Sequence, residues 1–183
     1  MLKQTDEELM LLVKMDKSLA MTELVKRYQA KLFNFFYRMS GDTCLAEDLV
    51  QESFIRLYKY RANYKDNNQL HTWLFQIARN VWNTSFRQQQ KKSQNDQQFT
   101  GRNPKSHISN PVDSYETQQL IKTALLQLAE RDRELIILFH LKGFTHKELS
   151  TVFKVSEGTL RVILYRALKK LGVILKDMGY EAN

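Results

Sequence analysis

Arg161, Arg166 and Lys169 recur along one side of the last helical pattern in the chain, interleaved with Thr159, Val162 and Tyr165. This mixture suits one kind of chemistry, the reading of a DNA duplex. A guanidinium can donate paired hydrogen bonds to a guanine edge or grip a phosphate, and apolar groups can meet thymine methyls. At about 3.6 residues per turn, Leu160, Ile163, Leu164, Ala167, Leu171 and Ile174 fall on the other side as a core face. The plain alternative is a basic amphipathic helix with a solvated outer face. Val162 and Tyr165 argue against it, because a merely solvated face has no need of apolar groups among its arginines.

A second group lies near the middle of the chain. Thr72, Gln76, Arg79, Asn80, Asn83 and Arg87 share one arc of a helical pattern, with Trp73 at its edge. Amides and arginines can hold a nucleic-acid backbone, and an edge aromatic can stack on an unpaired base. Tyr64, Asn67, Asn68 and His71 lie just upstream. Trp73 fits a core position as well as a stacking one, whereas Trp82 reads as core. A third group, Asp48, Gln51, Glu52, Ile55 and Lys59, forms an arc opposite Ala46, Leu49, Val50, Ser53, Phe54, Leu57 and Tyr60. An acidic patch with an exposed isoleucine is poorly suited to DNA and suits a protein partner with a basic surface. Read from that helix alone, it is equally a solvated charged face.

Other chemistries lack their residues. There is no glycine-rich phosphate loop, no paired metal-ligand spacing and no nucleophilic triad. His71, His107, His140 and His146 are scattered. Cys44 is the only cysteine and builds neither a disulfide nor a cysteine-based zinc site. The expectation is a protein without catalytic residues, metal or cofactor. The net charge of +8 over 183 residues favours an anionic partner. The N-terminus lacks a long apolar run, so a cytoplasmic protein with no membrane insertion is expected.

The elements that must position these groups read as helices. Two prolines and six glycines favour long helices over a turn-rich β fold. Thr5 to Glu8 has the form of a capping box and should open the first helix. Further helices are expected over about 18–39, 43–61 (capped by Asp42) and 69–89. The stretch from about 90 to 113 is rich in Gln, Asn, Ser and Lys, with few apolar groups to offset ordering. It reads as a flexible linker, or near its start as a solvated helix extension. Helices at about 114–129 and 132–141 follow. Thr145 to Glu148 forms a second capping box, and the turn Phe153-Lys154-Val155-Ser156 leads into the last helix, about 157–176. A short capped helix, a turn with one buried aliphatic and an N-capping serine make a helix–turn–helix. The fold class is all-α, with two small helical domains, 1–89 and 114–183, joined by the linker.

Two blocks carry a family resemblance. LAEDLVQESFIRLYKY with TWLFQIARNVWNTSFRQQQKK resembles region two of sigma factors of the extracytoplasmic-function group. LAERDRELIILFHLKGFTHKELSTVFKVSEGTLRVILYRALKKL resembles their region four. The resemblance implies a transcription initiation factor that binds core RNA polymerase and promoter DNA. Asp48, Gln51, Glu52 and Ile55 would dock on the polymerase clamp. Tyr64, Asn67, Asn68, Trp73, Arg79, Asn80, Asn83 and Arg87 would open the −10 element and hold an unstacked base. Thr159, Arg161, Val162, Tyr165, Arg166 and Lys169 would read the −35 element. An anti-sigma factor is a further partner that the family raises.

Some positions depart from the family pattern. Val162 and Ile163 stand where serine and arginine are usual, so an unusual or more weakly read −35 sequence is expected. Thr84 stands where an aspartate is common, and Ser150 replaces a small alanine. The competing reading is a conventional helix–turn–helix regulator that acts on duplex operators without joining the polymerase.

Overall fold

The computed structural model describes residues 4–65, 69–95, 115–140 and 144–180, with 89–95 and 115–116 described in backbone only. Regular structure among the described residues is entirely helical. The chain divides into two compact units, Met1–Phe36 with Cys44–Asn103, and Tyr37–Thr43 with Pro104–Asn183.

The first unit holds α1 (Asp6–Lys14), α2 (Ser18–Ser40, through Phe36), α3 (Thr43–Lys59), a 3-10 turn (Arg61–Asn63) and α4 (Leu70–Asn95). The expected capping box opens α1: Glu8 N–H donates to Thr5 Oγ1 at 3.1 Å and Thr5 N–H to Glu8 Oε2 at 2.8 Å. Two orphan amide donors are satisfied at once. Asp6 then ties α1 to α2. Tyr28 Oη donates to Asp6 Oδ2 at 2.6 Å, and Arg27 Nη1 donates to Asp6 Oδ1 at 2.7 Å while its Nε bonds Glu23 at 2.9 Å. Partial burial pushes the Asp6 carboxyl up, but the bonds from Tyr28 and Arg27 outweigh it and hold it below its ordinary value. Leu9, Met10, Val13, Leu24, Leu32, Phe35, Leu57 and Phe75 close the core, with Phe35 edge-on to Phe75 at 5.8 Å.

The start of α4 is set from α1. Leu70, its first residue, donates its N–H to Glu7 Oε1 at 3.2 Å, and Lys14 Nζ donates to the Tyr64 carbonyl at 2.9 Å. A carboxylate at a helix N-terminus is favourable for both hydrogen bonding and the dipole. The helix runs to Asn95, beyond the expected end near 89. Glutamine and lysine are good helix formers, so the polar start of the stretch continues the helix. The remainder of the expected linker lies outside the described residues.

The second unit holds α5 (Tyr115–Gln127), α6 (Glu130–His140), α7 (His146–Phe153) and α8 (Glu157–Asp177). α8 packs on each of the other three. The core includes Ala124, Leu125, Leu128, Leu135, Ile136, Ile137, Leu138, Leu149, Val152, Phe153, Leu160, Leu164 and Ala167. Arg133 Nη2 bonds the Leu126 and Leu128 carbonyls at 2.9 and 3.1 Å and so covers the end of α5. The second capping box also forms, with Glu148 N–H to Thr145 Oγ1 at 3.2 Å and Thr145 N–H to Glu148 Oε2 at 2.6 Å. α7 closes on Lys154, whose φ of 54° lies in the left-handed region. Val155 N–H bonds the Ser150 carbonyl at 3.0 Å and Lys154 N–H bonds the Thr151 carbonyl at 3.3 Å, the paired bonds of a Schellman closure.

Candidate nucleic-acid and protein interfaces

Ser156 caps α8. Its Oγ accepts the Thr159 N–H at 3.2 Å and lies 2.8 Å from Thr159 Oγ1. The first turn of the helix is thereby fixed, and with it the side chains that leave it. Thr159, Arg161, Val162, Tyr165, Arg166 and Lys169 are all exposed. Val162 is 48% and Tyr165 69% exposed, so the apolar members of the set face solvent and not the core. Leu160, Leu164 and Ala167 are buried, and Ile163, Leu171 and Ile174 are half-buried. Glu157 stands one turn before Arg161, with carboxylate and guanidinium 3.9 Å apart. That distance is the outer edge of an ion pair and contributes little at an exposed site. Leu168 also reaches the surface beside this face, a position the sequence did not single out. The surface is a basic strip with an aromatic and two aliphatics, able to meet phosphates and the floor of a groove.

On α4, Leu70, Leu74, Ile77, Ala78 and Val81 are buried as the periodicity requires, and Phe75 and Trp82 join them. Trp82 stacks on Phe86 with ring centroids 5.9 Å apart. Asn80 and Arg87 are exposed, and Trp73, Arg79 and Asn83 half-buried, on one polar arc. Tyr64 departs from the expectation. It is 1% exposed, and its ring lies 5.3 Å from that of Trp73. A side chain so enclosed offers no face to a base; it backs the Trp73 ring. The reason is tertiary: the 3-10 turn folds Tyr64 inward and Lys14 holds its carbonyl. Asn67 and Asn68 lie outside the described residues. Thr84, in place of the common aspartate, donates its hydroxyl to the Asn80 carbonyl at 2.8 Å within the helix.

On α3, Asp48, Gln51 and Ile55 are exposed, Ile55 by 59%, and Glu52 is half-exposed with its carboxylate 2.6 Å from Arg56 Nε. Ala46, Leu49, Ser53, Phe54 and Leu57 are buried, Ser53 through its bond to the Leu49 carbonyl at 2.7 Å. Val50 is only half-buried, and Tyr60, expected inward, is 44% exposed. α3 ends at Lys59, so Tyr60 no longer follows the helical period. Tyr58 is also exposed; its hydroxyl bonds Asp16 at 2.9 Å and Arg61 lies 4.1 Å from its ring centre. No helix among the described residues is long and apolar enough to cross a membrane.

These faces fall within two blocks that match known families. The Sigma-70 region 2 family matches residues 24–92, which include the α3 and α4 arcs, and the Sigma-70 region 4 family matches 118–171, which include the α8 strip. The chain is 30% identical over 149 residues to the ECF RNA polymerase sigma factor SigM of Bacillus subtilis, spanning 81% of this chain and 91% of SigM. It is 26% identical over 169 residues to SigW of the same organism, spanning 87% of this chain and 90% of that one. Among solved structures, the sigma factor RpoE in complex with the anti-sigma factor NepR from Bartonella quintana shares the fold, with a TM-score of 0.75 at 24% identity over 85% of this chain and 96% of the other. CnrH, in complex with the cytosolic domain of CnrY, gives a TM-score of 0.73 at 18% identity over 94% of this chain and 97% of the other. A stand-alone operator-binding regulator would account for the helix–turn–helix but not for a region 2 match ahead of it. The chain belongs to the ECF sigma factors, the small RNA polymerase subunits that direct initiation to chosen promoters.

Proposed function

We propose a division of labour among the three faces. Asp48, Gln51, Glu52 and Ile55 on α3 dock on core RNA polymerase. Trp73, Arg79, Asn80, Asn83 and Arg87 on α4 hold the opened −10 strand, with Tyr64 acting from behind the Trp73 ring. Thr159, Arg161, Val162, Tyr165, Arg166 and Lys169 on α8 read the −35 duplex. The functional halves are residues 1–89 and 114–183, with 90–113 between them. The protein acts in the cytoplasm and performs no covalent chemistry; the polymerase does.

Binding energy is what the protein contributes to opening. Unstacking a base costs about a few kcal/mol, and each base stacked on an aromatic returns about 1–3 kcal/mol. Phosphate contacts supply affinity without sequence information. The observation that supports the reading most is the α8 strip, where Val162 and Tyr165 are solvent-facing between arginines while the opposite side is closed. Because RpoE was solved in complex with the anti-sigma factor NepR, an anti-sigma protein is proposed as a third partner here too.

The test is run-off transcription by purified core polymerase with and without the protein, followed by mapping of the starts. Start sites that appear only with the protein and share two upstream elements are expected. The double reversal Asp48→Lys with Glu52→Lys should reduce co-elution with core polymerase and leave binding to a free duplex intact. Retention of core binding by that variant would remove the docking assignment.

A further inference from the structure

Lys154 is held in a backbone conformation that suits it badly. Its φ of 54° belongs to the left-handed region, where the Cβ of any residue but glycine crowds the following carbonyl. The Schellman closure of α7 demands that conformation at this one position. Glycine would satisfy it without crowding. Nothing in the folded unit explains the lysine. Its side chain is exposed, and among the described residues it makes no hydrogen bond, ion pair or ring contact. Asp16, the other non-glycine residue with left-handed backbone among the described residues, differs on this point, because its carboxylate engages Tyr58 and Arg61. Strain without a local return marks a side chain retained for something outside the fold.

We propose that Lys154 is an additional DNA-contacting residue, whose ammonium meets a phosphate of the duplex read by α8. It stands two residues before the Ser156 cap, on the exposed turn that leads into the helix bearing Arg161, Arg166 and Lys169. A lysine serves as a point charge on a flexible stem and so tolerates imprecise placement on a turn. The contact adds affinity and register, not sequence preference. This inference rests on α8 being the duplex-reading helix.

The experiment compares full-length wild type with Lys154→Gly, Lys154→Arg and Arg166→Ala, on a labelled 30-base-pair duplex of arbitrary sequence over a range of sodium chloride. Lys154→Gly should raise the melting temperature of the helix–turn–helix unit by about 4–8 °C as the crowding is relieved. It should also weaken DNA binding and lower the slope of log K against log salt by about 0.9, the value for one lost phosphate contact. Lys154→Arg should keep the wild-type slope. A glycine variant that melts higher yet keeps the wild-type slope, beside an Arg166→Ala variant that loses it, overturns the role of Lys154 and leaves the α8 reading in place. If Lys154→Gly and Arg166→Ala both keep the wild-type slope, the α8 reading itself falls.

Discussion

If α8 reads the duplex as proposed, its cap couples stability to DNA binding, and substitutions at Ser156 separate the two. Ser156 Oγ accepts one amide, Thr159 N–H at 3.2 Å, in an exposed setting. N-cap replacement by alanine costs about 0.5–2 kcal/mol, and a long amide bond in an exposed setting, with one hydroxyl contact beside it, belongs in the lower half, about 0.5–1 kcal/mol. A small helical unit loses about 4–8 °C per kcal/mol, so Ser156→Ala should lower its transition by about 2–8 °C. Ser156→Gly should fall between, since glycine at a cap costs only a few tenths of a kcal/mol. Ser156→Asp keeps the acceptor and adds a charge that the helix N-terminus favours, so it should melt at or above wild type. Duplex binding should rank differently. The alanine variant frays the turn that carries Thr159 and Arg161, and the aspartate variant sets a negative charge beside phosphate, so both should bind more weakly. Circular dichroism melts and fluorescence anisotropy on a duplex read the two orders. If Ser156→Ala melts with wild type, or Ser156→Gly melts below Ser156→Ala, the cap does not hold the helix start. If Ser156→Asp binds DNA as wild type does, that end of α8 does not face the duplex.

Three further outcomes are expected. Arg161→Ala should relax base preference within the −35 element by about 1–3 kcal/mol at one position, measured by selection from a randomised duplex pool. Leu164→Ala, at a site 5% exposed against α8's neighbours, should cost about 2–5 kcal/mol in urea unfolding of its unit. Asp6 gives a pH signature. Its carboxyl is held below the ordinary aspartate value, so its stabilising effect is complete above that value and fades as pH falls through the lower, folded one. The stability gap between wild type and Asp6→Asn should therefore be full at neutral pH and close below about pH 4.

What the sequence made legible was local. The capping boxes at Thr5–Glu8 and Thr145–Glu148 are short-range hydrogen-bond patterns, so their residues announce them and the structure forms both. The two sides of α8 follow from helical period alone, and all six outward residues are exposed. Tyr64 shows the limit. Its burial depends on the 3-10 turn and on the ring of Trp73, which no local pattern encodes. Tyr60 fails for a related reason, because a period extrapolated past Lys59 assigns a face to a residue that has left the helix. The run of α4 to Asn95 is the helix extension that composition left open beside a linker, since residues too polar for a core are still good helix formers. The role of Glu7 in starting α4 spans 63 positions and has no sequence signature. Lys154 was invisible for the opposite reason: lysine carries no preference for the conformation it adopts.

α7 is eight residues long, far below the about 12–15 at which a helix is even marginal alone. Its geometry is imposed from both ends, by the reciprocal bonds of Thr145 and Glu148 and by the closure at Lys154, with Leu149, Val152 and Phe153 anchoring one side. Its solvent-facing interior, Lys147 and Thr151, bears almost none of that burden. Such a segment can drift between related chains at its middle while its termini stay fixed. Mutational latitude on α7 should thus be concentrated at its solvent-facing middle, and its intolerance at the Thr145–Glu148 box and the buried Leu149, Val152 and Phe153.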